Sequence, residues 1–308
     1  MTRHPPPSTV PAKWSVIVPT CHRNEQVSRC LERLAQGRQT LEPSRYEVIV
    51  TDDGVHDTAQ ALVQARFAWA RWVAGPRRGP AANRNAGARV ATGEWLAFVD
   101  DDCLPEPGWL AALDRQSRDG ETEVVEGRTD CPDKRDNPLE EHVENPDGGA
   151  LWSCNFAIKR SVFQHVNGFD EGFTEACFED IDLHWRLRRA GWLVRFCPDA
   201  LVRHPARAGT FRDLWRRTLR LRWMVRFRLK TGASTGLCRS IFLDSLRITV
   251  RTAKDWKWAW WRRQTFTVFW QWLTLPVILP YLLIWQRRFR RQLDRPGDTG
   301  PIADSSGL

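Results

Sequence analysis

Asp100, Asp101 and Asp102 stand in a row in FVDDDCLPEPGW, directly after an apolar run. Adjacent carboxylates repel, and at the end of a buried strand they are costly to desolvate. A divalent cation relieves both costs. Hard ions such as Mg²⁺ take carboxylate oxygens and bridge to substrate phosphates, so Asp100 and Asp102, two apart, can hold an ion that neutralises a diphosphate as well. The competing reading is a solvated loop, or an N-cap for a helix beginning near Pro105. Two other acidic pairs have equally ordinary uses. Asp53 before Gly54 is a common turn pair. Glu179 and Asp180, in the first turn of a helix written FEDIDLHWRLRRAG, suit the helix dipole.

The elements that must position these groups are legible from periodicity. WSVIVPT and YEVIVTDDG read as buried strands, ARWVAG as a third and WLAFVDDD as a fourth. EQVSRCLERLAQG places Val27, Cys30, Leu31 and Leu34 at helical spacing, with Gly37 as the stop. DTAQALVQARF is a second helix, and GPAANRNAGARVATG an alanine-rich third. In FEDIDLHWRLRRAG, Phe178, Ile181, Trp185 and Leu183 or Leu187 form the expected apolar stripe. Strands alternating with helices predict an α/β fold with a mostly parallel sheet and helices on both faces. In such sheets ligands bind beyond the carboxyl ends of the strands, where PTCHRNE, DDG and DDD fall. Neither G-x-G-x-x-G nor G-x-x-x-x-G-K-[ST] is present, which argues against a dinucleotide fold and a P-loop.

These stretches together carry a resemblance. In VIVPTCHRNE, VTDDG, GPAANRNAG, FVDDD, GFDEGF and FEDIDLHWRLRRAG, in that order, the chain resembles family 2 glycosyltransferases of the GT-A fold over roughly residues 14 to 206. Val55 stands where the family usually has serine, and Asp101 is an extra aspartate inside the D-x-D. The resemblance implies inverting, metal-dependent transfer of a sugar from a nucleoside diphosphate sugar of UDP or dTDP type to a hydroxyl acceptor, a glycan or lipid-linked precursor. It implies Mg²⁺ or Mn²⁺ on Asp100 and Asp102, with His204 joining the metal. Asp53 would meet the nucleobase, since a carboxylate accepts from the imide N–H of uracil or thymine, with Pro19, Thr20 and Arg23 framing base and ribose. Arg84 and Asn85 would line the donor sugar and diphosphate, and Asp101 would reach the ribose. Asp180 would be the general base, with Glu179 supporting it. DKRDNPLEEHVENPDGG, with two Asn-Pro steps and a Gly-Gly, would be a flexible acceptor-side loop or lid, with Trp152 and Asn155 lining the acceptor cleft unless Trp152 packs in the core.

Charge and composition divide the chain. From Pro205 onward 21 basic and 6 acidic residues give +15, so the first 204 residues carry −6 of the net +9. Nine of the seventeen tryptophans lie in that basic part. The expected organisation is a disordered lead over 1–12, a catalytic domain over 13–206, a basic, Trp-rich helical extension over 207–291 and a disordered tail over 292–308. GTFRDLWRRTLRLRWMVRFRLK places Phe211, Leu214, Trp215, Leu221, Val225 and Leu229 on one helical face. Residues 265–285 carry no charge, follow the tryptophan-rich flank WKWAWWRR and end at Trp285, about the length that can span a bilayer. The expectation is a chain at the cytoplasmic face of a membrane, peripheral, re-entrant or single-span. The lead has no apolar h-region of a signal peptide, and the eight cysteines show no C-x-x-C pair, which points to a reducing compartment. A sugar-phosphate nucleotidyltransferase would want a glycine-rich basic loop where PTCHRNE stands. A nucleic-acid-binding protein would have little use for three acidic strand ends, so no nucleic-acid partner is expected.

Overall fold

A computed structural model describes residues 13–133, 137, 139–232 and 258–294. The expected lead, most of the expected tail and part of the extension lie outside the described residues. The chain divides into two compact units, one of residues up to 133 with 142–206, the other of 134–141 with 207–308.

The first unit is built on one sheet. Its strands are β1 (Trp14–Thr20), β2 (Tyr46–Asp52), β3 (Arg71–Ala74), β4 (Trp95–Val99), β5 (Leu104–Pro105), β6 (Val124–Asp130), β7 (Asn155–Lys159) and β8 (Val194–Arg203), in spatial order β3-β2-β1-β4-β7-β6-β8-β5. The first four pair in parallel, as the alternation of strand and helix requires. The second half is mixed. β7 runs antiparallel to both β4 and β6, β6 and β8 are parallel, and β5 is antiparallel to β8.

Both faces of the sheet are buried. Trp14, Val16 and Val18 of β1 face one apolar cluster with Val48 and Val50, while Ile17 and Ile49 face the other. This is the period-2 alternation of a strand covered on both sides. The first face is covered by α1 (Asn24–Leu34), α2 (Gln60–Arg66) and α4 (Trp109–Gln116), which contribute Leu31, Val63 and Leu113. The second is covered by α3 (Pro80–Val90), α5 (Arg160–His165) and α6 (Glu179–Arg189), through Ala81, Phe163 and Leu187. In α3 a Cβ on Gly87 would sit 2.6 Å from Ile17 Cγ2, so glycine there lets the helix lie close on β1. On α6 the buried residues are Glu179, Asp182, Leu183 and Leu187, while Ile181 and Trp185 are only half-buried. The stripe thus lies one step round from the expected Phe178–Ile181–Trp185 face, because Asp182 is held inside by Arg186 at 2.8 Å.

In the second unit the expected single amphipathic helix is two, α7 (Phe211–Leu219) and α8 (Leu221–Lys230). Thr210 and Asp213 form a reciprocal capping box at the start of α7. Phe211 is exposed, whereas Trp223, Val225 and Arg226 of α8 are buried. The last helix, α9 (Trp258–Leu293), contains Pro276 and Pro280. Among the described residues no helix is long and apolar enough to cross a membrane, so the single-span expectation fails. α9 has the length, but threonine, glutamine and proline dilute its apolar stretch. Its Tyr281 and Phe289 instead pack on α8: the Arg222 guanidinium donates to the Tyr281 hydroxyl at 2.8 Å, and Trp223 meets Phe289 at 5.6 Å between ring centres.

Candidate functional site

The carboxyl ends of β1, β2 and β4 meet on one edge of the sheet, which brings Thr20, Arg23, Asp53 and the three aspartates together. The triple carboxylate is resolved by giving each member a different partner. Asp101 is buried; it accepts from the Thr20 hydroxyl at 2.7 Å and from Arg23 Nη1 at 2.9 Å. Burial pushes its carboxyl up to about 6, against the pull of Arg23. It faces inward, fixing the β1 end, and is not placed to reach a ribose. Asp100 accepts from Arg84 Nη2 at 2.5 Å. Asp102 accepts from Arg23 Nη1 at 3.1 Å and faces His204 Nε2 at 3.4 Å.

His204 is far away in sequence, and the register of β5 against β8 brings it here. Leu104 pairs antiparallel with Arg203, so the residues just before Leu104 lie alongside the residue just after Arg203. His204 N also donates to the Asp130 carbonyl at 2.8 Å, which ties it to the end of β6. Its Nδ1 lies 3.0 Å from the Pro205 carbonyl, which can only accept, so Nδ1 carries the proton. Its Nε2 lies 3.4 Å from Asp102 Oδ1, so the ring nitrogen and the carboxylate oxygen are near enough for one divalent cation to take both. Asp102, Cys103 and His204 offer ligand atoms within 4.8 Å of one another. Cys103 is fully buried, and burial raises its thiol well above the usual range, so Asp102 and His204 are the donors that fit a hard ion.

The second acidic pair lies at the other end of a buried cation. Arg84 is 2% exposed and spans Asp100 and, at 3.2 Å, Glu179 Oε1. Burial disfavours its charge, but Asp100 and Glu179 more than offset this and hold it firmly protonated. Glu179 is equally buried. Desolvation first, then repulsion from Asp180, push it up to about 8 despite Arg84. Burial also raises Asp180, partly countered by the Ile181 N–H donating at 2.8 Å. Asp180 is only half-buried, so it is the member of the pair that an incoming molecule can touch. The residue before the pair, Phe178, sits at φ 72°, a left-handed conformation that a bulky side chain adopts only under constraint from its surroundings.

Other expected residues have structural partners. Asp53 accepts from Arg77 N at 2.9 Å and Gly79 N at 3.0 Å, which fastens the loop before α3 to the β2 end, and it stays partly exposed. Pro19 and Thr20 are buried inside β1. Asn85 is turned away from the aspartates: its amide grips Phe169 through both backbone groups and donates to Glu171. Asn155 lines no cleft. It is buried, accepts from Trp109 Nε1 at 2.8 Å, and donates to the Arg128 and Ala200 carbonyls. Trp152 is half-buried on the first core cluster, and its indole donates to the Glu144 carbonyl at 3.1 Å.

The described part of the expected lid is anchored. Thr129 and Asn145 exchange backbone bonds, and the buried Glu126 accepts from Asn145 Nδ2, Gly149 N, Ala150 N and Leu151 N. Sequence reading passed over Glu126, although an acid inside the apolar run VVEG is an anomaly that demands internal donors. It also passed over Asn83, whose buried amide donates to the Thr20 and Thr51 carbonyls and locks the ends of β1 and β2 to α3.

Comparison with known proteins decides the family. The model described as glycosyl transferase family 2 matches residues 15–173, and one described as the N-terminal domain of galactosyltransferase matches 144–205. The chain belongs to glycosyl transferase family 2. As a family 2 glycosyltransferase it is 30% identical to the pre-mycofactocin glycosyltransferase of Mycobacterium tuberculosis over 225 residues, 66% of this chain and 45% of that protein. It is 28% identical to the glycosyltransferase AglE of Haloferax volcanii over 208 residues, 63% of this chain and 67% of AglE. The chain thus spans less than half the length of the first of these relatives. A solved mannosyltransferase, PcManGT from Pyrobaculum calidifontis in complex with GDP-Man and Mn²⁺, superposes with a TM-score of 0.59 over 91% of this chain and 88% of its own, at 17% identity. That likeness shows the fold: a GT-A type sheet with flanking helices.

Proposed function

We propose that this glycosyltransferase transfers a sugar, with inversion, from a nucleoside diphosphate sugar of UDP or dTDP type to an acceptor hydroxyl, with a divalent metal at Asp102 and His204. The observation that supports the reading most directly is the buried Arg84, which joins Asp100 of the acidic triplet to Glu179 of the second pair. A donor-binding edge and a proton-accepting edge are thereby held as one unit.

Asp53, partly exposed beside Gly79, would receive the base edge. Arg23, 41% exposed and bound to Asp101 and Asp102, would bring its positive charge beside the diphosphate. Asp102 and His204 would hold Mg²⁺ or Mn²⁺, with Asp100 beside them; when bound, the ion supplies Lewis-acid stabilisation of the departing diphosphate. PcManGT, described with a nucleotide sugar and Mn²⁺, supports this assignment by its fold. Asp180 would take the proton of the acceptor hydroxyl as that oxygen bonds to the anomeric carbon and the bond to the diphosphate breaks. Glu179, pushed up to about 8 by burial and by its neighbour, would hold a proton at neutrality, which leaves the half-buried Asp180 as the member placed to accept one. No covalent enzyme intermediate is needed for inversion. The acceptor class we assign is a glycan or lipid-linked precursor, the class named for a relative, the N-acetylglucosaminyl-diphospho-decaprenol L-rhamnosyltransferase of Mycobacterium tuberculosis, 42% identical over 73 residues.

A panel of nucleotide sugars, scored for thermal stabilisation and slow donor hydrolysis with Mn²⁺ and with EDTA, tests the reading. The expected result is stabilisation by one donor type that needs the metal and is lost in Asp102→Ala. Full transfer activity in EDTA would overturn the metal assignment.

A further inference from the structure

Just past the end of β6 the chain leaves the first unit at Asp133 and re-enters it at His142. Cys131 and His142 stand on either side of that excursion, and Glu144 follows two residues later. Their side chains converge. Cys131 Sγ lies 3.2 Å from His142 Nδ1, and ligand atoms of all three residues lie within 4.8 Å of one another. We propose that Cys131, His142 and Glu144 form a second cation site, of zinc class, that staples the two ends of this excursion.

The chemistry of the donors selects the ion. Thiolate, imidazole and carboxylate are the three protein ligands of a tetrahedral Zn²⁺ site, with water completing it. Mg²⁺ and Ca²⁺ take oxygen and would not use the sulfur. The charges balance, since Cys131 as thiolate and Glu144 as carboxylate offset the dication while His142 is neutral; the thiol proton leaves to solvent on binding. The geometry also fits. In a tetrahedron with bonds of about 2.3 Å to sulfur and 2.05 Å to nitrogen, the sulfur–nitrogen edge is about 3.5 Å. The 3.2 Å contact is within a small side-chain adjustment of that edge.

The backbone holds both arms of the site. Thr129, two residues before Cys131, and Asn145, the residue after Glu144, exchange N–H···O bonds of 3.2 and 2.8 Å. Val143, between the two ligands, packs against the first core cluster, and the Trp152 indole binds the Glu144 carbonyl. His142 and Glu144 are thus two apart on an anchored segment whose intervening side chain faces the core, the spacing that sends both ligands the same way along an extended chain. All three are half-buried, so an ion can reach them.

The full chain, stripped with chelator and dialysed, is titrated with Co²⁺ and then with Zn²⁺. A thiolate-to-cobalt charge-transfer band in the near ultraviolet is expected at one equivalent, displaced by Zn²⁺. The band should persist in Cys103→Ser, which removes the thiol beside Asp102. It should vanish in Cys131→Ser, a substitution of nearly equal size. Removing an outer-shell partner alone costs about 10–100-fold in metal affinity, so losing the thiolate should weaken Zn²⁺ by at least about 100-fold. No band in the wild type, a band retained in Cys131→Ser, or a band lost in Cys103→Ser would each overturn the proposal.

Discussion

At the scale of single residues, the site is a set of carboxylates kept apart by two arginines. Asp180 is the one with access, and its role is tested by a substitution that keeps its shape. Asp180→Asn should lower the transfer rate by about 10²–10⁴ with donor affinity within a few-fold of wild type. A matching loss of donor binding would mean that the residue holds the donor or the fold instead. Glu179 makes a separate prediction through pH. Its folded value is raised from 4.5 to about 8, so across that window the folded chain holds a proton that the unfolded chain has released. Its contribution to stability is therefore full at acid pH and is lost as pH rises toward 8. In EDTA, denaturant midpoints of wild type should fall from pH 5 to pH 8 more steeply than those of Glu179→Gln; parallel profiles would refute the shift.

At the scale of elements, buried polar residues decide where loops stand. Glu126 on β6 gathers one side-chain and three backbone donors from 145–151. Glu126→Ala would leave those donors without their acceptor, at roughly 1–3 kcal/mol for each that stays buried. Acceptor KM should rise well before donor KM changes, since the residues we propose for the donor stand at the ends of β1, β2 and β4, and the midpoint of denaturation should fall. Unchanged stability and acceptor KM would show that 145–151 is held by its own turns. The same elements show how far periodicity reads. α1 and the first four strands lie where alternation and helical spacing put them, because one apolar period suffices to bury each face. The stripe of α6 was shifted because Asp182 is buried against Arg186, a pairing that a count of apolar positions does not contain. Asn85 and Asn155 looked like site residues by position but serve as backbone clamps, since an amide pointing into the core must satisfy both its donor and its acceptor there.

At the scale of the whole molecule, all eight strands and both apolar clusters found among the described residues precede residue 207. A chain ending after Ala206 should therefore melt cooperatively and keep its metal-dependent stabilisation by the donor; a broad, non-cooperative melt would show that 207–308 is needed for the fold. The order of strands and helices, the acid at their carboxyl ends, the family resemblance and the charge division at the basic extension were all written in the local pattern, because each depends on residues close together in the chain. The antiparallel insertion of β7 between β4 and β6 was not, nor the β5–β8 register that brings His204 to Asp102, nor the reach of Arg84 to Glu179 across 95 positions that ties Glu179 to Asp100. Those depend on which strand edges and which buried charges find one another once the chain has collapsed. A buried guanidinium is placed by the carboxylates that neutralise it, and tertiary packing alone decides which carboxylates those are.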